Sequence, residues 1–416
     1  MKVRLAYGAG GLEVELPQER TTVVEPAYHA GAPDEGEVLR RALQEPVAGP
    51  TLRELASRGA KVAISMCDGT RAQPRDKMIP AVLDELGVPD SQVVILVATG
   101  THRGNTDAEI RAMLGDEIVD RVRVVNHDAR DKSTLVYLGE HGNGVPVWIN
   151  REWVEADLRI TTGFVEPHFF AGFSGGPKLV TPGLAGLETV LVLHDAARIG
   201  DPKATWGVID DNPVHTDIRA ACGAAPPHFT FDVILNREQR VIEAFAGSLA
   251  EMHAAACDAA RRLAMREVPE PFDVVVTSNS GYPLDQNLYQ AVKGMSAAAK
   301  VVKPGGLIVC AAECRDGFPG HGSYRELLER HASPRDFLQA IKQSDHVTPD
   351  QWQVQIQYNI QDHARLVMHT GHLTDEELRA VHLEQTRDIS ATVAAEGESA
   401  TVCVLLEGPQ TIAYVG

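Results

Sequence analysis

The chain has 416 residues, a formal net charge of −18, and a composition of 44% hydrophobic and 23% charged residues. That length corresponds to two or three domains, and the composition is that of an ordinary folded protein rather than a disordered or fibrous one. The acidic balance argues against nonspecific binding to nucleic acid or to an anionic membrane surface, and it leaves room for a small anionic substrate held by a few local cations.

Met1 to Pro17 alternates apolar and polar residues in strand fashion, without the basic start and apolar stretch of a signal peptide. No run approaches the roughly 18 apolar residues of a membrane span. The cysteines (Cys67, Cys222, Cys257, Cys310, Cys314, Cys403) are scattered, and Cys310 with Cys314 has no second close pair to complete a zinc framework. Reduced thiols and a cytoplasmic location are the expectation.

Short β-branched runs predict strands at 61–66, 93–98, 122–125, 158–162, 231–235, 274–276 and 307–310. Continuous apolar runs of this length suit strands buried on both faces. Helical patterns lie between them at 107–114, 184–197 and 249–265. Alternating strand and helix predicts an α/β chain with mainly parallel sheets, in two domains with an active-site cleft between them. The best boundary is Arg266-Glu-Val-Pro-Glu-Pro-Phe272, where two prolines follow a long helix. It divides an N-terminal cofactor-binding domain at 1–268, completed by 405–416, from a C-terminal α/β domain at 269–404.

Four segments carry candidate chemistry, each just after a predicted strand, where ligands sit in open α/β sheets. In the first, Asp68-Gly-Thr70-Arg71, the carboxylate can accept from ribose hydroxyls and the guanidinium can fork onto a carboxylate or phosphate. A plain capped turn is the alternative. In the second, Thr99-Gly-Thr-His102, the imidazole is placed to take and return a proton, although most loop histidines do neither.

The third is Glu166-Pro-His168 followed by Gly172-Phe-Ser174-Gly175-Gly176-Pro-Lys178. Glycines let backbone N–H groups approach an anion, and the lysine can neutralise a phosphate or act as an amine nucleophile. A nucleotide P-loop needs Gly-Lys followed by Ser or Thr, but here proline precedes Lys178 and leucine follows it. The alternative is a glycine turn with Lys178 solvated. His194, sixteen residues after the lysine, reads on its own as a helix-surface histidine. The fourth segment, Asp285-Gln-Asn-Leu-Tyr289-Gln290-Ala-Val-Lys293, puts Tyr289 and Lys293 on one helical face, either converging on a small carboxylate or lying on an ordinary amphipathic helix. His321, His346, His363 and His369 read as surface residues.

Together these motifs resemble the nickel-dependent lactate racemase family, over nearly the whole chain. The resemblance implies racemisation or epimerisation of a 2-hydroxy acid by hydride transfer to and from a nickel pincer nucleotide, through a 2-keto acid. It implies that Lys178 tethers that cofactor, with Asp68, Thr70, Ser174, Gly175 and Gly176 binding it, and that His194 ligates nickel. His102 and His168 are then the catalytic acid/base pair. Arg71, Tyr289, Gln290 and Lys293 then bind the substrate, a small 2-hydroxy carboxylate, or hold the cofactor phosphate, and Trp352 is the tryptophan of the substrate pocket. Cofactor-biosynthesis proteins are implied partners. One departure is visible: Cys67 stands where the family commonly has an acidic residue before Asp68.

Two rival readings remain. An NAD-dependent 2-hydroxyacid dehydrogenase would need a Gly-x-Gly-x-x-Gly turn after the first strand, and none is found. A non-catalytic carrier of the nickel cofactor would need only the anchor and the ligand, not two candidate bases.

Overall fold

The β-branched runs form strands in all the expected places, and all but the half-exposed edge strand Arg123–Asn126 are largely buried on both faces of a sheet. In the computed structural model, residues 1–56, 59–320, 322–344 and 346–416 are described, so His321 lies outside them. The residues divide into two compact units. One contains Tyr28–Leu193 and Lys203–Leu263; the other contains Met1–Ala27, His194–Pro202 and Ala264–Gly416.

The unit of residues 28–193 and 203–263 is built on a six-stranded sheet ordered Val241–Gly247, Phe229–Leu235, Leu158–Phe164, Val62–Cys67, Val93–Ala98, Arg123–Asn126. Only the first pair is antiparallel. Ile64 pairs with Ile95 on one side and Ile160 on the other, and all three are fully buried. Helices Arg75–Leu86, Asp107–Leu114 and Leu249–Ala264 connect or cover these strands. Asp107–Leu114 is fixed by a capping box, with Thr106 and Glu109 satisfying each other's backbone N–H groups.

The other unit has a fully parallel six-stranded sheet, ordered Glu384–Gln385, Arg365–His369, Val302–Ala311, Phe272–Ser278, Val402–Leu405, Thr21–Val24. The α/β class with mainly parallel sheets is therefore as expected. The division of the chain is different. The N-terminal hairpin Lys2–Leu5/Leu12–Glu15 buries Val3, Leu5 and Val14 in the core of the C-terminal unit, and Thr21–Val24 is that unit's edge strand. The terminal strand Ile412–Val415 pairs with Met265–Val268, which also belongs to this unit. Pairing between distant strands, which no local pattern announces, draws residues 1–27 away from the segment that follows them.

The helix expected over 184–197 is broken. Leu187–Leu193 ends before His194, and Asp195 caps a new helix, Ala196–Ile199, by accepting from Arg198 N. Of the remaining surface expectations, His346 is exposed, but His363 and His369 are half-buried and bonded to the carbonyls of Val302 and Thr386.

Candidate active site

In the sheet of residues 28–193 and 203–263, the chain runs from Val62–Cys67 outward to Val93–Ala98 and Arg123–Asn126, then crosses back to Leu158–Phe164. Strand order therefore reverses between Val62–Cys67 and Leu158–Phe164. Open α/β sheets bind ligands at such a switch point, beyond the carboxyl ends of the strands. Three of the four motif segments leave the sheet there.

The first turn is closed from beneath. The Arg75 guanidinium is buried and donates to the carbonyls of Cys67 (2.8 Å), Gln73 (3.1 Å), Arg71 (2.8 Å) and Asp68. The Gln73 side chain accepts from Cys67 N (2.8 Å) and donates to Thr162 Oγ1 (2.9 Å) on the neighbouring strand. This scaffold leaves Arg71 exposed, with its guanidinium making no ion pair or hydrogen bond among the described residues. Burial drives the Cys67 thiol up to about 12, so at neutral pH it is an apolar filler rather than a thiolate.

Asp68 is only 2% exposed, and both of its oxygens are engaged. Oδ1 accepts from Thr70 N (3.0 Å) and Thr70 Oγ1 (2.6 Å), and Oδ2 lies 2.6 Å from His102 Nδ1. Burial alone would raise its pKa, but the hydrogen bond and charge of His102, with Thr70 and Arg71, outweigh it, and the net shift is downward. An ionised carboxylate only accepts, so His102 Nδ1 carries the proton and Nε2 is left with its lone pair. The geometry makes Asp68 an orienting carboxylate for His102, rather than a free acceptor for ribose hydroxyls.

His168 has the opposite tautomer. Its Nδ1 faces the backbone N–H groups of Phe170 (3.5 Å) and Ala171 (3.2 Å), so it accepts. The ring proton is then on Nε2, which stands 3.3 Å from Lys178 Nζ. A ring N–H directed at an amine requires that amine to be neutral. Lys178 is half-buried; burial first, and then the positive Arg71, pull it down to about 7, against the opposing charge of Glu166.

The glycine turn does not form the expected anion cradle through these amides. Ser174 N donates to Glu166 O (2.9 Å), Ser174 Oγ donates to Phe164 O (2.9 Å), and Gly176 N donates to Asp232 Oδ2 (2.6 Å). The glycines are there for close packing. A Cβ on Gly175, which has φ +72°, would lie 2.6 Å from Asp232, and one on Gly176, at φ +50°, would lie 2.5 Å from His253.

Several residues that hold this loop escaped the sequence reading. Asp232 is fully buried, and burial drives its pKa up to about 7. His253 Nε2 bonds Ser174 O at 2.9 Å, with the His215 ring stacked 5.8 Å away. Asn212 is fully buried; its Oδ1 caps the helix Pro213–Cys222, and its Nδ2 donates to Phe170 O (3.0 Å) and Val208 O (2.8 Å). Asn-Pro at 212–213 is a legible helix start, but nothing local to it points toward the His168 loop. A lone Asp inside the apolar strand Phe229–Leu235 was the one signal available for Asp232.

The remaining candidates lie in the unit that carries the C-terminal sheet. His194, at the break between two helices, is 7% exposed, with its ring 4.7 Å from that of Trp352. It is therefore not a helix-surface histidine. Tyr289, Gln290 and Lys293 are half-buried on the helix Leu288–Ala299, whose N-cap Asn287 accepts from Gln290 N at 3.1 Å. The neighbouring helix Gln351–His363 carries Trp352 and is tied to this one by Gln353 Nε2 donating to Tyr289 O at 2.6 Å.

Residues 7–207 match the lactate racemase N-terminal domain, and residues 268–413 match the lactate racemase C-terminal domain. The chain belongs to the lactate racemase family. It is 36% identical to a lactate racemase of Thermoanaerobacterium thermosaccharolyticum over 93% of this chain and 92% of that one. It is 37% identical to a lactate racemase of Lactiplantibacillus plantarum, with 90% of each covered. The structure of the lactate racemase apoprotein from T. thermosaccharolyticum superposes with a TM-score of 0.93 at 34% identity, covering 99% of this chain and 100% of that one. A Thermotoga maritima protein shares the fold at a TM-score of 0.65 and 18% identity. Family membership places the chain among racemases, and so among isomerases. No helix of the described residues is long and apolar enough to cross a membrane.

Proposed function

We propose that this chain racemises or epimerises a small 2-hydroxy acid, with a nickel pincer nucleotide as its resident cofactor, in the cytoplasm. The observation that carries the reading is a pair of imidazoles held in opposite senses, His102 Nδ1 on the Asp68 carboxylate and His168 Nδ1 on the Phe170 and Ala171 N–H groups, which leaves the neutral rings with Nε2 bare in one and protonated in the other.

The residues present fit the cofactor. A neutral Lys178 amine is the form able to join a carboxyl-derived arm, and the buried His194 offers one imidazole to a metal. Among the described residues no three His, Cys, Asp or Glu side chains converge as a metal site. A metal held through His194 would therefore draw its other donors from the cofactor's own sulfur arms, which suit nickel. When bound, the cofactor supplies an acceptor for the α-hydrogen, which as a proton would leave a second negative charge beside the carboxylate.

The chain's own residues do the rest. Arg71 offers an unpaired guanidinium to a carboxylate, and Tyr289, Gln290, Lys293 and Trp352 are assigned to the substrate. His102 Nε2 takes the hydroxyl proton while Asp68 stabilises the imidazolium that forms. His168 Nε2–H passes its proton to the planar 2-oxo acid's oxygen and is reprotonated from solvent, so that ring returns to neutral while His102 releases the proton it took. For the other enantiomer the two roles exchange.

The test is to express the chain together with the enzymes that make the cofactor and follow D- and L-lactate, then a panel of other 2-hydroxy acids, by chiral chromatography. Interconversion without consumption of free NAD is expected. His102→Ala and His168→Ala should each lower it by about 10²–10⁴-fold, with nickel content unchanged. A metal-free product, or turnover that consumes NAD stoichiometrically, overturns the reading. Nickel bound without turnover over the whole panel would leave a carrier.

A further inference from the structure

The cluster of Lys178, His168 and Arg71 has a use that requires no cofactor. Lys178 Nζ stands 3.3 Å from His168 Nε2, and the tautomer fixed by the Phe170 and Ala171 amides makes that contact a ring N–H directed at a neutral amine. The amine also lies 5.6 Å from the centre of the Phe170 ring, a face that weakly favours an ammonium and so works against the burial that neutralises it. The charged and titratable groups facing it are Arg71 and Glu166, with His168 in contact and His215 and His253 behind. The Arg71 guanidinium makes no ion pair or hydrogen bond among the described residues. An uncharged amine, an adjacent proton donor and an unpaired guanidinium are the three groups needed to capture a carbonyl that carries a carboxylate.

We propose that the cofactor-free chain takes up a small 2-oxo acid as an imine on Lys178, with Arg71 receiving the carboxylate and His168 handling the protons. The amine nitrogen adds to C2, and one of its protons passes to the former carbonyl oxygen, giving a carbinolamine. His168 Nε2–H protonates the hydroxyl, which leaves as water while C=N forms. The remaining nitrogen proton returns to His168. Amine and carbonyl have then lost one water between them, with no change of oxidation state. This inference goes beyond the proposed racemisation and does not rest on it.

The experiment uses the full chain expressed alone, incubated with pyruvate and cyanoborohydride, which reduces an imine to a stable secondary amine. Intact mass should show one reduced pyruvate adduct, and peptide mapping should place it on Lys178. The rate should be half-maximal near the amine's pKa of about 7, far below the roughly 10.4 of an ordinary lysine. Lys178→Arg, which keeps a cation in the turn, should take up less than about one-tenth of the wild-type adduct. Arg71→Ala should raise the half-saturating pyruvate concentration about tenfold. His168→Gln should slow the reaction about 10²-fold. An absence of adduct, labelling undiminished in Lys178→Arg, or uptake that does not saturate and is matched by acetone would each overturn the proposal. Thermal melts of the three variants separate these outcomes from misfolding. Racemisation by the loaded protein with no adduct in the free one removes this inference alone, and an adduct without racemisation removes only the proposed function.

Discussion

Asp68 and His102 come from the ends of two adjacent strands and meet at 2.6 Å, so one carboxylate sets the proton position of one imidazole. In the proposed reaction that choice decides whether Nε2 can act as a base. Asp68→Asn keeps the size of the side chain but can present an N–H to Nδ1 and reverse the tautomer. Its kcat should fall by about 10²–10⁴-fold with KM nearly unchanged, while loss confined to KM would show that Asp68 only binds. A second-strand partner cannot be read from Asp68-Gly-Thr-Arg itself, and the turn looked equally like a cap. In fact it is both, since Oδ1 closes the turn and Oδ2 holds the histidine.

The segment from Glu166 to Lys178 shows how far local pattern reaches. Its histidine and lysine were legible because those residue types have few uses beside a glycine turn. The glycines have a packing use that the local pattern does not show: they admit Asp232 and His253 to the back of the loop, and those residues come from a strand and a helix far along the chain. The strands Val62–Cys67, Val93–Ala98 and Leu158–Phe164 were legible over most of their length because apolar β-branched runs have one stable fate, whereas only the apolar centres of Phe272–Ser278 and Val302–Ala311 were. The helix break at His194 was not, since only the Asp195 cap enforces it. Asn212 is the element-level joint, serving a helix start and two loop carbonyls with one amide. Asn212→Ala leaves buried groups on all three unsatisfied and should destabilise the protein by about 2–4 kcal/mol in a urea melt; a change below about 0.5 kcal/mol would show that water replaces the side chain.

Across the whole molecule, buried imidazoles set the response to acid. Burial above all pulls His215 down to about 3 and His253 to about 4, and it lowers His127 as well. Unfolding frees them to titrate near 6.5, so between about pH 6.5 and 4 the unfolded chain binds more protons than the folded one. Stability is therefore full above that window and is lost as pH falls through it. Asp232 acts in the other sense, its carboxyl being held neutral up to about 7, but one carboxyl is set against three imidazoles. Melting temperature should drop between pH 7 and 5, with a shallower slope in His253→Gln; a flat profile would show that these rings are already charged. The cysteines bear on how such experiments can be followed. All six are free and buried, and burial raises every one of their thiols. The native surface is consequently silent toward maleimides, and a single cysteine introduced at an exposed position would accept a fluorophore or spin probe without any background having to be engineered away.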